Sequence, residues 1–252
     1  MTCHIDYQAP SSLLEGRVIL VTGASTGIGR AAAMAYARHG ASLVLIGRSV
    51  ARLEVVYDAI EAAGGPQPAI FPLNLESATS QDYASLAAHL ESEFGRLDGL
   101  LHNASVLGER LPVAEADLET WAQVMQVNFT ATLGLTQALL PLLARSESAS
   151  VIFTSSSVGR RGRACWGAYS TSKFATEGLM QILADEHRDG AIRFNSINPG
   201  ATRTAMRQAA YPDEDPAILR TPEEIMPTYL WLMGNDSATA NGEAFDAQPP
   251  RH

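Results

Sequence analysis

Tyr169 and Lys173 stand four residues apart in Y-S-T-S-K, so on a helix both side chains fall on one face. A phenol beside an ammonium is a proton-transfer pair. The unperturbed phenol, with a pKa of about 10, is a poor base near neutrality, and a neighbouring positive charge favours its phenolate. Upstream, Val151, Ile152 and Phe153 read as a buried strand that delivers Thr154, Ser155, Ser156 and Ser157 toward the same place. Tyr and Lys at this spacing are common on helices and usually mean nothing, so the pair depends on what else the chain brings to it.

The elements that must position these groups alternate along the chain. After a polar arm over residues 1–15, apolar strand-like runs fall at 17–21, 41–46, 69–73, 97–101, 150–154, 192–197 and 244–245. Between them lie an Ala-rich helix at 30–39 stopped by Gly40, and a helix capped by Ser49 that carries Leu53, Val56, Tyr57 and Ile60. Tyr83, Leu86, Leu90 and Phe94 mark a helix ended by Gly95. A long helical region at 117–140 sets Trp121, Val124 and Met125 on its apolar side. The helix of Tyr169 runs over 169–187, and a late one follows Pro222 with Met226, Tyr229, Leu230 and Met233 as its stripe. Strands and helices in alternation with short links make βαβ crossovers. The fold class expected is α/β: a single doubly wound parallel sheet with helices on both faces, and residues 16–252 as one domain.

In such a sheet, ligands bind beyond the C-terminal strand ends, where the strand order switches. The first strand runs into T-G-A-S-T-G-I-G at 22–29, followed by the Ala-rich helix. Gly23, Gly27 and Gly29 permit a tight turn, close approach of backbone amides to a pyrophosphate, and packing of helix on strand. Ser25, Thr26 and Ile28 belong to the same turn. This context makes dinucleotide binding the expectation for the chain. The second strand ends in Gly47 and Arg48, with no carboxylate to hold a ribose 2′-hydroxyl. A guanidinium there pairs with a 2′-phosphate, so NADP(H) is preferred, with NAD(H) as the alternative.

Composition narrows the function classes. The 252 residues are 46% hydrophobic and 18% charged, with a formal charge of −9, which disfavours a nucleic-acid-binding surface. The basic cluster Arg160, Arg161 and Arg163 is too short to offset that charge. Cys3 and Cys165 lack metal-ligand spacing, so no metal site is expected, and free thiols suit a reducing compartment. No apolar run reaches the length of a membrane span, and residues 1–14 lack the apolar core of a signal peptide, giving a cytoplasmic expectation.

The ordered set T-G-A-S-T-G-I-G, H-N-A-S at 102–105, Asn128, Y-S-T-S-K and N-P-G-A-T-R-T at 198–204 resembles the short-chain dehydrogenases/reductases over nearly the whole chain. Within that family, T-S-S-S-V-G-R-R-G-R-A-C-W-G-A-Y, P-T-Y-L-W-L-M-G-N-D-S and F-D-A-Q-P look like the bacterial YciK branch. The resemblance implies a Rossmann fold and an NAD(P)-dependent enzyme acting on CH–OH or C=O groups. It makes Tyr169 the acid/base and Lys173 its partner, and Ser156, thirteen residues before Tyr169, the third catalytic group. Asn128 falls at the position of the family's active-site Asn. Asn103 and Ala104 fall on the adenine-ribose side of the cofactor, with Asn74 and Leu75 at the adenine, and Pro199, Gly200, Thr202 and Thr204 beside the nicotinamide. Two positions depart from the family pattern: Asn74 replaces a frequent Asp, and Ser105 replaces the Gly of N-A-G. By the same resemblance the fourth and fifth helices pair between subunits, implying a homodimer or homotetramer.

Residues 203–219 read as the lid of a small-molecule pocket that Met206, Ala209, Ala210 and Tyr211 make partly apolar, with Cys165 and Trp166 nearby. The arginines at 160, 161 and 163 either receive an anionic substrate or solvate a loop, and solvation is the preferred reading. Besides a carbonyl reductase or alcohol dehydrogenase, the same residues suit a cofactor-binding redox sensor with little turnover, or a non-redox lyase or epimerase.

Overall fold

The structure, a computed structural model, describes residues 2–249. The first residue of the arm and residues 250–252 at the end of the expected domain lie outside the described residues. Seven parallel strands form one sheet in the order β3-β2-β1-β4-β5-β6-β7. They are β1 (Val18–Thr22), β2 (Ser42–Gly47), β3 (Ala69–Pro72), β4 (Gly99–His102), β5 (Ala149–Thr154), β6 (Ile192–Asn198) and β7 (Ala244–Asp246). The order reverses between β1 and β4, so a crevice opens past Thr22 and His102.

The two faces of the sheet are covered by different helices. On β1, Ile19 and Val21 point to one face and Val18 and Leu20 to the other, as period-two alternation requires. The first face packs on α1 (Gly27–Arg38), α2 (Val50–Ala62) and α8 (Met226–Met233); the second packs on α3 (Ser80–Phe94), α5 (Ala131–Leu143) and α6 (Gly167–Glu186). The Ala residues of α1 are all buried, which brings this helix close to the sheet. The late stripe Met226, Tyr229, Leu230 and Met233 is buried as expected. The polar arm lies on α8 and the turn after it: the His4 ring stacks on Trp231 at 3.7 Å, and Tyr7 Oη donates to Asp236 at 2.6 Å.

Two local expectations need correction. Ser49 occupies the N-cap position of α2, but its side chain accepts no hydrogen bond from the helix. The region expected as one helix over 117–140 is interrupted. α4 (Leu118–Met125) passes into a π-helical turn at Gln126–Thr130 before α5 begins. Inside that turn, Asn128 accepts from Val106 N at 2.8 Å and donates to Val106 O and Ser172 Oγ, both at 3.0 Å. Those three bonds hold the widened turn against the segment after β4 and against α6, which gives the bulge a physical cause.

Candidate active site

The glycine turn sits in the crevice between β1 and β4. Thr22 Oγ1 accepts from Asn103 N at 2.9 Å and Ala104 N at 3.0 Å, which locks the β4 exit against the β1 exit. Gly23 takes a φ of +66°, and a Cβ placed on it would meet Ala104 Cα at 3.0 Å. Gly29 is tighter: a Cβ there would lie 2.2 Å from Gly23 O, a backbone atom with no freedom to move. Gly29→Ala should therefore lower stability by about 1–3 kcal/mol and weaken dinucleotide binding by opening the turn, readable from thermal melting and cofactor titration. The first turn of α1 carries no acidic residue, and the N-cap Thr26 makes no side-chain cap, so the positive end of the helix faces the crevice uncompensated.

Three adjoining cavities run from this turn. The first, about 260 Å³, is lined by Gly23, Ser25, Thr26, Arg48, Asn74, Leu75 and Ala104. The second, about 250 Å³, shares Gly23, Thr26 and Ala104 with the first and continues past Gly27, Ile28 and Asn103 to Tyr169, Lys173, Pro199 and Thr204. The third, about 110 Å³, takes in Ser156, Tyr169, Gly200, Thr202 and Thr204 and ends on Leu107, Trp166, Met206 and Ala210. The shared residues make one trough from Arg48 to Tyr169. Gly29 lies behind it, packed on Gly23, and Asn128 lies one hydrogen bond behind it through Val106.

At the far end, α6 presents Tyr169 and Lys173 from buried positions. Lys173 Nζ donates to Thr154 O at 2.8 Å and lies 5.6 Å from the Tyr169 ring centroid. Burial pushes its pKa down to about 8, with the Glu177 carboxylate acting against that shift. Burial also pushes the Tyr169 phenol up to about 12, opposed by the hydroxyls of Ser156 and Ser105 beside it. His102, the histidine next to Lys173, is held neutral: burial first, and the Lys173 charge second, push it down to about 3. It hydrogen-bonds Thr136 Oγ1 at 2.9 Å. Of the strand-end serines, Ser156 is the one beside the phenol, while Ser157 is exposed and Ser155 lies with its Oγ buried in the trough wall.

The residues present fit a dinucleotide. Gly23 and Gly29 leave a cradle that side chains would fill, and the buried hydroxyls of Thr154 and Ser155 along the trough close no hydrogen bond among the described residues. Hydroxyls of this kind match the donors and acceptors of a ribose and an amide. At the other end, Arg48 is largely exposed, with Glu76 3.9 Å away as a weak surface partner. Arg52 lines the same cavity and adds a second guanidinium that sequence reading passed over. It lies in the first turn of α2, four residues after Arg48, and a second arginine so close to the end of β2 is the signal that could have revealed it.

In the basic loop Arg161 and Arg163 fit the solvation reading, and Arg160 departs from both readings. Arg160 is neither an open anion receptor nor a solvated side chain. It pairs with Glu177 at 2.8 Å and Asp246 at 3.1 Å and donates to Phe245 O at 3.0 Å, tying the loop after β5 to α6 and β7. Arg161 and Arg163 are exposed, and Arg163 donates to Tyr211 Oη at 3.0 Å. The 203–219 segment contains α7 (Ala205–Ala210), capped by Thr204, whose hydroxyl accepts from Arg207 N. Arg110, also unflagged by the sequence, stacks over Trp166 and Tyr211 at 4.6 and 4.9 Å and donates to Ala210 O, so it fastens this segment over the third cavity. Thr202 Oγ1 is turned away, donating to Pro199 O at 3.0 Å and accepting from Gln248 at 3.2 Å.

Comparison with known proteins agrees with this geometry. The family model described as short chain dehydrogenase matches residues 17–215. The uncharacterized oxidoreductase YciK of Escherichia coli K12 is 56% identical over 245 residues, covering 97% of each chain. A protein from Pseudomonas syringae named as a short chain dehydrogenase has a solved structure with a TM-score of 0.95 and 64% identity, covering 96% of this chain and 99% of that one. Another so named, from Escherichia coli CFT073 and complexed with NADPH, superposes with a TM-score of 0.93 at 57% identity, covering 95% of this chain and all of its own.

Proposed function

The chain belongs to the short-chain dehydrogenase family, and on that premise we propose that it moves hydride between NADP(H) and a carbonyl or secondary alcohol, with Tyr169 as acid/base. The observation that carries this reading is the single trough joining the glycine turn and Arg48 to Tyr169 and Lys173. Residues 16–252 act in it as one cofactor-binding and catalytic domain, with the arm laid against it.

NADPH supplies hydride to the carbonyl carbon. The Gly23–Gly29 turn and the N-terminus of α1 receive the pyrophosphate, Arg48 the 2′-phosphate, and Asn74 and Leu75 border the adenine. Asn103, Ala104, Pro199, Gly200, Thr202 and Thr204 frame the remainder of the site. Ser156 donates to the substrate oxygen and fixes its place. Tyr169 Oη gives its proton to that oxygen as charge builds there, and in alcohol oxidation it takes the proton back. Lys173, charged below its lowered pKa, favours the phenolate left behind and holds ribose hydroxyls. Asn128 positions the water that returns a proton to this chain of groups; its carboxamide already holds Val106 and Ser172, the residue next to Lys173. The substrate end is apolar, with Leu107, Trp166, Met206 and Ala210 supplying area for a carbonyl compound with a hydrophobic body.

NADP(H) is preferred over NAD(H) through Arg48. Arg48→Ala is expected to weaken NADPH binding about 10- to 100-fold and NADH binding about twofold or less, the range of one charge-assisted contact. Titration calorimetry with both nucleotides checks it, and equal losses remove Arg48 from the account. The protein works in the cytoplasm as a homodimer or homotetramer. Phe174 and Ile182, 44% and 57% exposed on α6, are apolar residues available for a subunit contact.

A further inference from the structure

Ser105 stands where the family resemblance leads to glycine, so its hydroxyl is an addition belonging to this chain. The topology brings it to the phenol. β4 and β5 are neighbours, with His102 paired to Phe153, so the segments leaving the two strands run side by side. Ser156 leaves the end of β5 and Ser105 the end of β4; Ser156 shares the third cavity with Tyr169 and Ser105 shares the second, and both hydroxyls act against the upward push of burial on the phenol. Ser105 borders both the first and the second cavity, at the point where the trough turns toward α6. Its Oγ is buried and closes no hydrogen bond among the described residues, although its neighbours Asn103 and Ala104 are fixed by Thr22 and its other neighbour Val106 by Asn128. A hydroxyl held in this way, with no protein partner, carries a desolvation cost that a charged acceptor would reverse.

We propose that Ser105 is a hydroxyl donor to the Tyr169 phenolate, acting from the strand end adjacent to that of Ser156, whose own proton holds the substrate oxygen. The inference rests on the reading of Tyr169 as the acid/base. Ser105 keeps its own proton throughout. When Tyr169 gives its proton to a substrate oxygen, the Ser105 O–H turns to the phenolate oxygen and, with the Lys173 charge, stabilises it. Catalytic hydrogen bonds are often open before the reacting charge develops, which suits a hydroxyl that is near the phenol but not yet bonded to it. Removing the donor makes the phenolate harder to form and raises the pH at which Tyr169 ionises.

The test follows phenolate absorbance with pH in the NADP⁺-bound protein, for wild type, Ser105→Ala and Ser105→Gly, with Tyr169→Phe as the blank. Gly removes the side chain without adding bulk, and Ala keeps its size without the hydroxyl. The Tyr169 half-titration should rise by about one pH unit in both variants, with NADP⁺ affinity within about twofold of wild type. An unchanged half-titration, or a loss of NADP⁺ affinity with no shift, overturns the inference and leaves Tyr169 in place if Tyr169→Phe is inactive. Full turnover by Tyr169→Phe overturns the underlying reading, and this inference with it.

Discussion

Tyr169→Phe lowers the rate of NADPH-dependent carbonyl reduction by about 10²- to 10⁴-fold and leaves NADPH binding nearly intact. The substitution deletes one oxygen. The ring stays among Trp166, Val158 and Ala210, so packing changes little, and the loss reports the proton rather than the fold. No neighbouring group among the described residues is placed to take over. Lys173 Nζ is engaged with Thr154 O, and His102 is neutral and bonded to Thr136. Ser156 can hold a substrate oxygen but is far too weak an acid to complete the transfer. Initial rates across a carbonyl panel measure the loss, and wild-type turnover by the variant on an accepted substrate would remove Tyr169 from the mechanism.

Lys173→Met separates function from stability. Activity falls by at least about 10²-fold, because the charge that favours the phenolate disappears. The stability effect depends on pH and has a fixed sign. Burial lowers the folded-state pKa of Lys173 from its ordinary 10.5 to about 8. Between those values the unfolded chain holds a proton that the folded chain has released, so unfolding free energy rises with pH across that window. Below about pH 8 the folded protein carries the full cost of a desolvated ammonium, roughly 3 kcal/mol from the size of the shift. Methionine keeps the apolar stem and removes the charge, at the expense of leaving Thr154 O unpaired. The difference in unfolding free energy between wild type and Lys173→Met should therefore move in favour of wild type by about 3 kcal/mol from pH 8 to 10.5. Urea titrations of both cofactor-free proteins through this range measure it, and a flat difference contradicts the buried-ammonium picture. A residue that weakens the fold at the pH where it serves the reaction is a common feature of active sites.

Much of this was legible in the sequence because it rests on local rules. The glycines of residues 22–29 and the strand before them predict a phosphate-binding turn without knowledge of what packs nearby, and the alternation of strands and helices predicts the sheet. Element ends move by a residue or two because neighbouring strands, not propensity, set where pairing stops. What stayed hidden depends on contacts far apart in the chain. The π turn at Asn128 exists because a carboxamide must reach Val106 and Ser172 at once, and no spacing within 117–140 announces it. Arg160 looked like part of an exposed basic loop because its carboxylates, Glu177 and Asp246, lie 17 and 86 residues away. Arg110 shows its place only when α7 folds over it. Ser105 was visible as a departure from N-A-G, but its proximity to Tyr169 required the register of β4 on β5.

The central claim is that one trough binds NADP(H) and spends its hydride on a substrate held at Tyr169. It is tested most directly by measuring NADPH affinity and net NADPH oxidation together, on one preparation, against a panel of apolar ketones and aldehydes. The account predicts saturable binding and one NADPH consumed for each carbonyl reduced, with product alcohol recovered in equal amount. Saturable binding with no turnover on any compound, or substrate converted without net loss of NADPH, would contradict it.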